Sequence, residues 1–131
     1  MNVQILGCSV DSKFSHKAWR EVPRAEGGLG DLNYPLLTDL KKEISTAYDV
    51  LLDAAGISLR GLFLIDKDGV VRNQVVNDLP LGRSVDEALR MVKALQHHEQ
   101  HGEVCPANWN EGARGLDPAK SKEFFQAEYG G

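Results

Sequence analysis

The pattern of hydrophobic and polar positions predicts three strands. Residues 3–10 are rich in Val, Ile and Leu, which is typical of a buried strand. Residues 61–65 form a second apolar run and residues 70–76 a third, and Asp68-Gly69 between them favours a tight turn. Residues 61–76 are therefore expected to form a β-hairpin.

Helical spacing of apolar residues occurs in four places: after Asp11–Ser15, after Asp39 as far as Leu51, over residues 84–100, and over residues 119–128. The third helix has the clearest start, because Ser84 and Glu87 form a capping box. Residues 102–118 are rich in Gly, Pro and Asn and predict an extended arm. This order of elements favours an α/β or α+β fold whose sheet is covered by helices.

Composition narrows the class of protein. The chain has 131 residues, 42% hydrophobic and 26% charged, which is ordinary for one globular domain. A net charge of -4 with dispersed Lys and Arg gives no reason to expect a nucleic-acid partner. No apolar run is long enough to span a bilayer, and residues 1–7 do not resemble a secretory signal. Two cysteines do not make a disulfide framework, so a reducing, cytoplasmic location is expected.

Two cysteines and an arginine are candidates for chemistry. Cys105 lies in the predicted arm, where Pro106 favours an extended backbone and a reachable thiol suited to disulfide exchange. The alternative is a free thiol without a role. Cys8 lies within the first predicted strand and is expected to be a small buried hydrophobe. Arg60 precedes the strand at 61–65 and either steadies a thiolate or is simply solvated.

Two further features have mostly ordinary explanations. His97 and His101 share a helix face and could bind a metal, but a polar helix end is the better interpretation, and no metal or cofactor is expected. The glycine-rich loop at residues 26–30 lacks the lysine and hydroxyl of a phosphate-binding loop. No HExxH, GxSxG or CxxC motif occurs.

Six segments together resemble the typical two-cysteine peroxiredoxins, in family order and across nearly the whole chain. They are Cys8–Ser12, His16–Trp19, Pro23-Arg24 with Gly27-Gly28-Leu29-Gly30, Arg60–Asp66, Val76–Glu87 and His101–Trp109. The resemblance implies a thioredoxin-like fold, homodimers, decamers in many members, and thioredoxin or a similar dithiol as reductant. It also implies antioxidant reduction of hydrogen peroxide and organic hydroperoxides by a redox-active thiol that then forms a disulfide.

The resemblance assigns roles to individual residues. Cys105 matches the resolving cysteine, Arg60 the arginine that faces the peroxidatic thiolate, and Arg83 a second arginine near that thiolate. Gly27, Gly28, Leu29 and Gly30 match a loop that packs against a Tyr-Phe pair in enzymes sensitive to over-oxidation. Phe124-Phe125 falls where that pair lies, so the first ring here lacks its hydroxyl.

The same resemblance predicts that the family's peroxidatic motif belongs before residue 1. The expected fold is thus an incomplete thioredoxin-like one, lacking the first hairpin, one central strand and the helix of the peroxidatic cysteine. Residues 1–101 are expected to form the partial domain and residues 102–131 the C-terminal arm. An isolated chain is expected to fold poorly or only with a partner, because an incomplete sheet exposes its backbone edges.

Three functions therefore compete. The first is a thiol-dependent peroxidase with Cys105 as resolving cysteine, inactive as this chain alone. The second is a non-catalytic subunit that joins peroxiredoxin oligomers or acts as a holdase. The third is a redox partner that uses Cys105 alone in thiol exchange.

Overall fold

The computed structural model describes residues 1–131, which form two compact units. The first unit contains residues 1–61 and 76–81, and the second contains residues 62–75 and 82–131. The strands are β1 (Gly7–Ser9), β2 (Leu36–Thr38), β3 (Leu51–Leu52), β4 (Ile57–Ser58), β5 (Arg60–Ile65) and β6 (Val71–Asn77). The helices are α1 (Lys13–Glu21), α2 (Glu43–Ala47), α3 (Val85–His101) and α4 (Ser121–Tyr129). None of them is both long and apolar enough to cross a membrane.

The first predicted strand is much shorter than expected. β1 pairs in parallel with β2, from Gly7 opposite Leu36 to Ser9 opposite Thr38. Residues 3–6 lie outside this ladder, and Val3 and Ile5 are about half exposed, at 48% and 56%. The prediction of a buried strand over residues 3–10 is therefore wrong for residues 3–6, which are exposed and not part of a strand. Apolar residues there have no partner strand in the unit, and β1 ends where its ladder with β2 ends.

Asp39 organises the start of α2. Its carboxylate accepts hydrogen bonds from the backbone N–H of Ile44 at 2.9 Å, and from the N–H and hydroxyl of Ser45 at 2.7 Å each. Burial disfavours the charged carboxylate and by itself would raise the pKa of Asp39. The hydrogen bonds favour the charged form more strongly, so the pKa is lowered overall. Asp39 thus acts as an anionic anchor for a helix terminus.

The second helix is also shorter than predicted. It ends at Ala47, and Asp49 takes a left-handed backbone conformation with φ of 56°, which reverses the chain. Leu51 then lies in β3, which pairs antiparallel with β4. The spacing that suggested a continuous helix to Leu51 instead spans a helix, a turn and a short strand. Val50, inside that turn, is one of the few buried hydrophobic side chains.

The second unit agrees more closely with the sequence. β5 and β6 form the predicted hairpin, whose ends at residues 60–61 and 76–77 belong to the first unit. α3 begins after Ser84, whose hydroxyl accepts the N–H of Glu87 at 3.1 Å, and it ends at Gly102, where φ is 71°. The predicted helices at 84–100 and 119–128 are both confirmed, as α3 and α4.

Candidate functional site

The segment that follows α3 folds back onto that helix. Val104 and Leu116 form an antiparallel bridge with two N–H···O bonds of 2.7 Å. Trp109 is 3% exposed, and its indole N–H donates to the Ala113 carbonyl at 3.1 Å. Arg90 on α3 donates to the Trp109 carbonyl at 2.8 Å. The expected arm is therefore docked in this conformation rather than free.

Cys105 lies in this docked segment, beside the last turns of α3. Its side chain is half-buried, and the thiol donates to the Ala94 carbonyl at 3.4 Å. The thiol opens onto a cavity of about 150 Å³. The residues that line this cavity are Leu64, Arg72, Asn73, Met91, Ala94, Leu95, His98 and Cys105. The structure thus places Cys105 at a small cavity, less reachable than the sequence suggested.

The surroundings of Cys105 keep its thiol protonated. Desolvation by burial is the largest influence and raises its pKa, and the nearby carboxylate of Glu103 raises it further. The guanidinium of Arg90 opposes this rise only in part. Since the thiolate is the nucleophile, attack by Cys105 from this conformation requires a base or an opening of the segment.

The histidines at the end of α3 contact the same segment. The Nε2 atom of His97 lies 2.8 Å from a carboxylate oxygen of Glu103, and Nδ1 of His98 lies 2.8 Å from the Glu103 carbonyl oxygen. The His97 ring is 4.9 Å from Trp109 and 4.5 Å from His101, measured between centroids. No group of three His, Cys, Asp or Glu side chains is arranged to hold a metal ion.

Sequence reasoning missed Glu103, Trp109 and Arg90 as residues that hold the Cys105 segment in place. A signal existed for one of them, because a large aromatic in a Gly- and Pro-rich stretch seldom stays in solvent without a partner. The contacts made by Arg90 and Glu103 could not be read from spacing. They depend on how far the segment folds back along α3.

Cys8 is exposed, which contradicts its predicted burial. Side chains alternate along a strand, and Ser9 points toward α1, where its hydroxyl lies 2.5 Å from Nε2 of the buried His16. Cys8 therefore points to the opposite face of β1, which is not packed. Partial desolvation still raises the pKa of its thiol, and the charge of Asp39 adds to that rise.

The two candidate arginines are both exposed and lie in different units. Arg60 begins β5, and its Nε donates to the Leu79 carbonyl at 3.1 Å. Arg83 directly precedes Ser84, the residue that caps α3. Their roles near a thiolate remain predictions.

The glycine loop and the phenylalanine pair are each ordered within their own unit. A Cβ on Gly28 would lie 2.0 Å from the Val22 carbonyl oxygen, so only glycine fits there. Phe124 is buried beneath the guanidinium of Arg114, 5.7 Å from its ring centroid, and Phe125 is about half exposed. The proposed link of Gly27–Gly30 and Phe124-Phe125 to over-oxidation stays a prediction.

Comparison with known proteins identifies relatives along most of the chain. Residues 1–74 match the model of the AhpC/TSA family, and residues 94–131 match the C-terminal domain of 1-Cys peroxiredoxin. The mitochondrial thioredoxin-dependent peroxide reductase of Drosophila melanogaster is 57% identical over 129 residues, which cover 95% of this chain and 55% of that protein. This chain spans about half the length of that curated relative.

Two solved structures support the fold. The reduced 2-Cys peroxiredoxin of Plasmodium vivax matches with a TM-score of 0.86 at 51% identity, over 91% of this chain and 61% of that one. The mitochondrial 2-Cys peroxiredoxin of Plasmodium falciparum matches with a TM-score of 0.75, also at 51% identity, over 80% and 62%. The predicted thioredoxin-like α/β fold is thereby confirmed, with this chain covering only part of it.

The expected cytoplasmic location is contradicted by the same comparisons. The Drosophila relative and the Plasmodium falciparum structure are both named as mitochondrial proteins. The expectation was drawn from the small number of cysteines. That number indicates reducing conditions and does not distinguish one reducing compartment from another.

Proposed function

Because this chain belongs to the AhpC/TSA family of peroxiredoxins, we propose that it works in thiol-dependent reduction of hydrogen peroxide and organic hydroperoxides, with Cys105 as the resolving thiol. The observation that carries this proposal is the state of Cys105. Its thiol is kept protonated by its surroundings, and it lies at a small cavity in the segment docked on α3.

A protonated thiol is suited to disulfide formation, the step that follows oxidation of another cysteine by peroxide. Peroxide reacts with thiolates, so a thiol whose pKa is raised resists direct oxidation. In the proposed reaction, a peroxidatic cysteine outside residues 1–131 is first oxidised to a sulfenic acid. The Cys105 sulfur then attacks the sulfenyl sulfur, a disulfide forms, and the S–O bond breaks to release water. A dithiol such as thioredoxin reduces the disulfide to two thiols and is itself oxidised.

Cys8 is not proposed as the peroxidatic thiol. Both desolvation and the charge of Asp39 raise its pKa, and no cationic group among the causes of that shift lowers it. An efficient peroxidatic cysteine needs the opposite surroundings. A chain with only these two thiols is expected to be inactive by itself.

The remaining assignments rest on the family resemblance. Arg60 and Arg83 are proposed to stabilise the peroxidatic thiolate, since guanidinium groups stay charged and donate several hydrogen bonds. Residues 1–101 are proposed as the partial peroxiredoxin domain and residues 102–131 as the arm that presents Cys105. Homodimers, decamers and a thioredoxin-type reductant are the proposed partners.

Complementation of a defective peroxiredoxin tests the function. A full-length 2-Cys peroxiredoxin whose resolving cysteine is replaced by serine is mixed with this chain, thioredoxin and its reducing system. Addition of the chain, or of its Cys8→Ser variant, should raise thioredoxin-dependent peroxide turnover, and the Cys105→Ser variant should not. Equal turnover with and without the chain would refute the proposal.

A second candidate is a non-catalytic subunit or holdase, and exposed apolar surface favours it. Far more large hydrophobic side chains are exposed than buried, among them Val85 at 72% and Tyr129 at 80%. Exposed surface of this kind marks association sites. This candidate predicts co-migration with a full-length peroxiredoxin, or suppression of aggregation of an unfolded client, that persists in the Cys105→Ser variant.

A further inference from the structure

His98 reaches the same cavity as the Cys105 thiol. His98 lines the cavity from the C-terminal part of α3, and Cys105 lines it from the docked segment. The thiol proton is directed at the Ala94 carbonyl, one turn earlier on the same helix. An imidazole is therefore the titratable side chain that shares this cavity with a thiol needing deprotonation.

The hydrogen bond made by His98 fixes which ring nitrogen can accept a proton. Its Nδ1 lies 2.8 Å from the backbone carbonyl oxygen of Glu103. A carbonyl oxygen only accepts, so Nδ1 must carry the hydrogen and donate it. In the neutral ring the lone pair is then on Nε2. His98 is thus held as the tautomer whose free nitrogen is a base.

Other charged groups near the cavity do not replace this base. Arg72, on β6, is paired with Asp66 at 3.2 Å and cannot accept a proton. Arg90, on α3, is held by Glu87. The carboxylate of Glu103 lies 2.8 Å from Nε2 of a neighbouring histidine, His97. Of these groups, only His98 both lines the cavity and has a ring nitrogen whose lone pair is not used in a hydrogen bond.

We infer that His98 is the general base that activates Cys105 in the resolving step, an inference that rests on the proposed function. Nε2 takes the thiol proton, directly or through one water molecule, as the sulfur approaches the sulfenyl sulfur of the partner. The thiolate electron pair forms the S–S bond, and the S–O pair leaves as hydroxide. The imidazolium returns the proton, so the products are a disulfide and water.

A pH–rate profile of disulfide formation tests the inference. A full-length 2-Cys peroxiredoxin lacking its resolving cysteine is oxidised with one equivalent of peroxide and mixed with this chain in a Cys8→Ser background. The rate of mixed-disulfide formation is measured from pH 6 to pH 9, with His98→Gln as the test and His101→Gln as the control. His101 lies at the same helix end but does not line the cavity.

The His98→Gln variant should be at least about tenfold slower than the parent at pH 7, within the range of general-base effects. The difference should nearly vanish at pH 9, where hydroxide generates the thiolate without help. His101→Gln should follow the parent throughout. Equal profiles for His98→Gln and the parent would overturn the inference, as would a deficit of the same size at every pH, which indicates a structural role. No disulfide from the parent at any pH would instead refute the proposed function.

Discussion

Replacing Trp109 with alanine should release the Cys105 segment from α3. A buried aromatic removes about 150–250 Å² from water, which corresponds to about 4–6 kcal/mol at ~25 cal/mol per Å². Such areas are upper bounds, and measured Trp→Ala costs are about 3–5 kcal/mol. Loss of the indole hydrogen bond to Ala113 is part of that cost. A change of about 3 kcal/mol in docking raises the open population about 100-fold.

Alkylation of Cys105 measures this opening. The reaction of Cys105 with a maleimide is followed by intact mass in a Cys8→Ser background. The alkylation rate of Trp109→Ala should be at least about tenfold higher than that of the parent and approach the rate in denaturant. Trp109→Phe keeps an aromatic ring, so its alkylation rate should lie between the rates of the parent and of Trp109→Ala. The matched control is Trp19→Ala, because that side chain is 42% exposed and belongs to the first unit. An unchanged rate in Trp109→Ala, or an equal rise in Trp19→Ala, would refute the docking argument.

Three further outcomes are expected. Asp39→Asn should lower the free energy of unfolding by about 1–3 kcal/mol near pH 7 in a urea titration. Because folding lowers the pKa of Asp39, its carboxylate adds to the free energy of unfolding above about pH 4, and this stabilisation is lost as the pH falls toward the lowered pKa. The free energy of unfolding of Asp39→Asn should therefore depend less on pH in this acidic range. Gly28→Ala should destabilise by at least about 1 kcal/mol in the same titration, whereas Gly82→Ala, where a Cβ meets nothing within 4 Å, should not. Glu103→Gln removes a charge that raises the pKa of Cys105, so its alkylation should reach half-maximal rate at a lower pH.

Local signals predicted the second unit better than the first. The β5–β6 hairpin follows from two apolar runs around an Asp-Gly turn, and α3 follows from a cap at Ser84 and a regular apolar stripe. Both signals lie within a few residues of the element they specify. In the first unit, the run at residues 3–10 has strand composition, but only the part that meets β2 forms a ladder. Pairing is decided by distant residues and cannot be read from one segment.

The candidate site was predicted only in part for the same reason. The thiol of Cys105 was identified from its resemblance to a family motif, but its half-buried, protonated state was not. That state follows from burial of the thiol and from the nearby charge of Glu103, and both arise only when the segment folds back along α3. The expected burial of Cys8 was wrong, since composition shows that a strand is apolar but not which face of it is covered.

Mapping the disulfide formed with a peroxidatic partner tests the central claim most directly. This chain, with both cysteines intact, is mixed with a full-length 2-Cys peroxiredoxin that lacks its own resolving cysteine and has been oxidised by one equivalent of peroxide. Peptides from the non-reduced complex are identified by mass. We expect the partner's peroxidatic cysteine to be linked to Cys105, and the link to disappear on addition of reduced thioredoxin. A link to Cys8, or no covalent complex, would contradict the assignment of Cys105 as the resolving thiol.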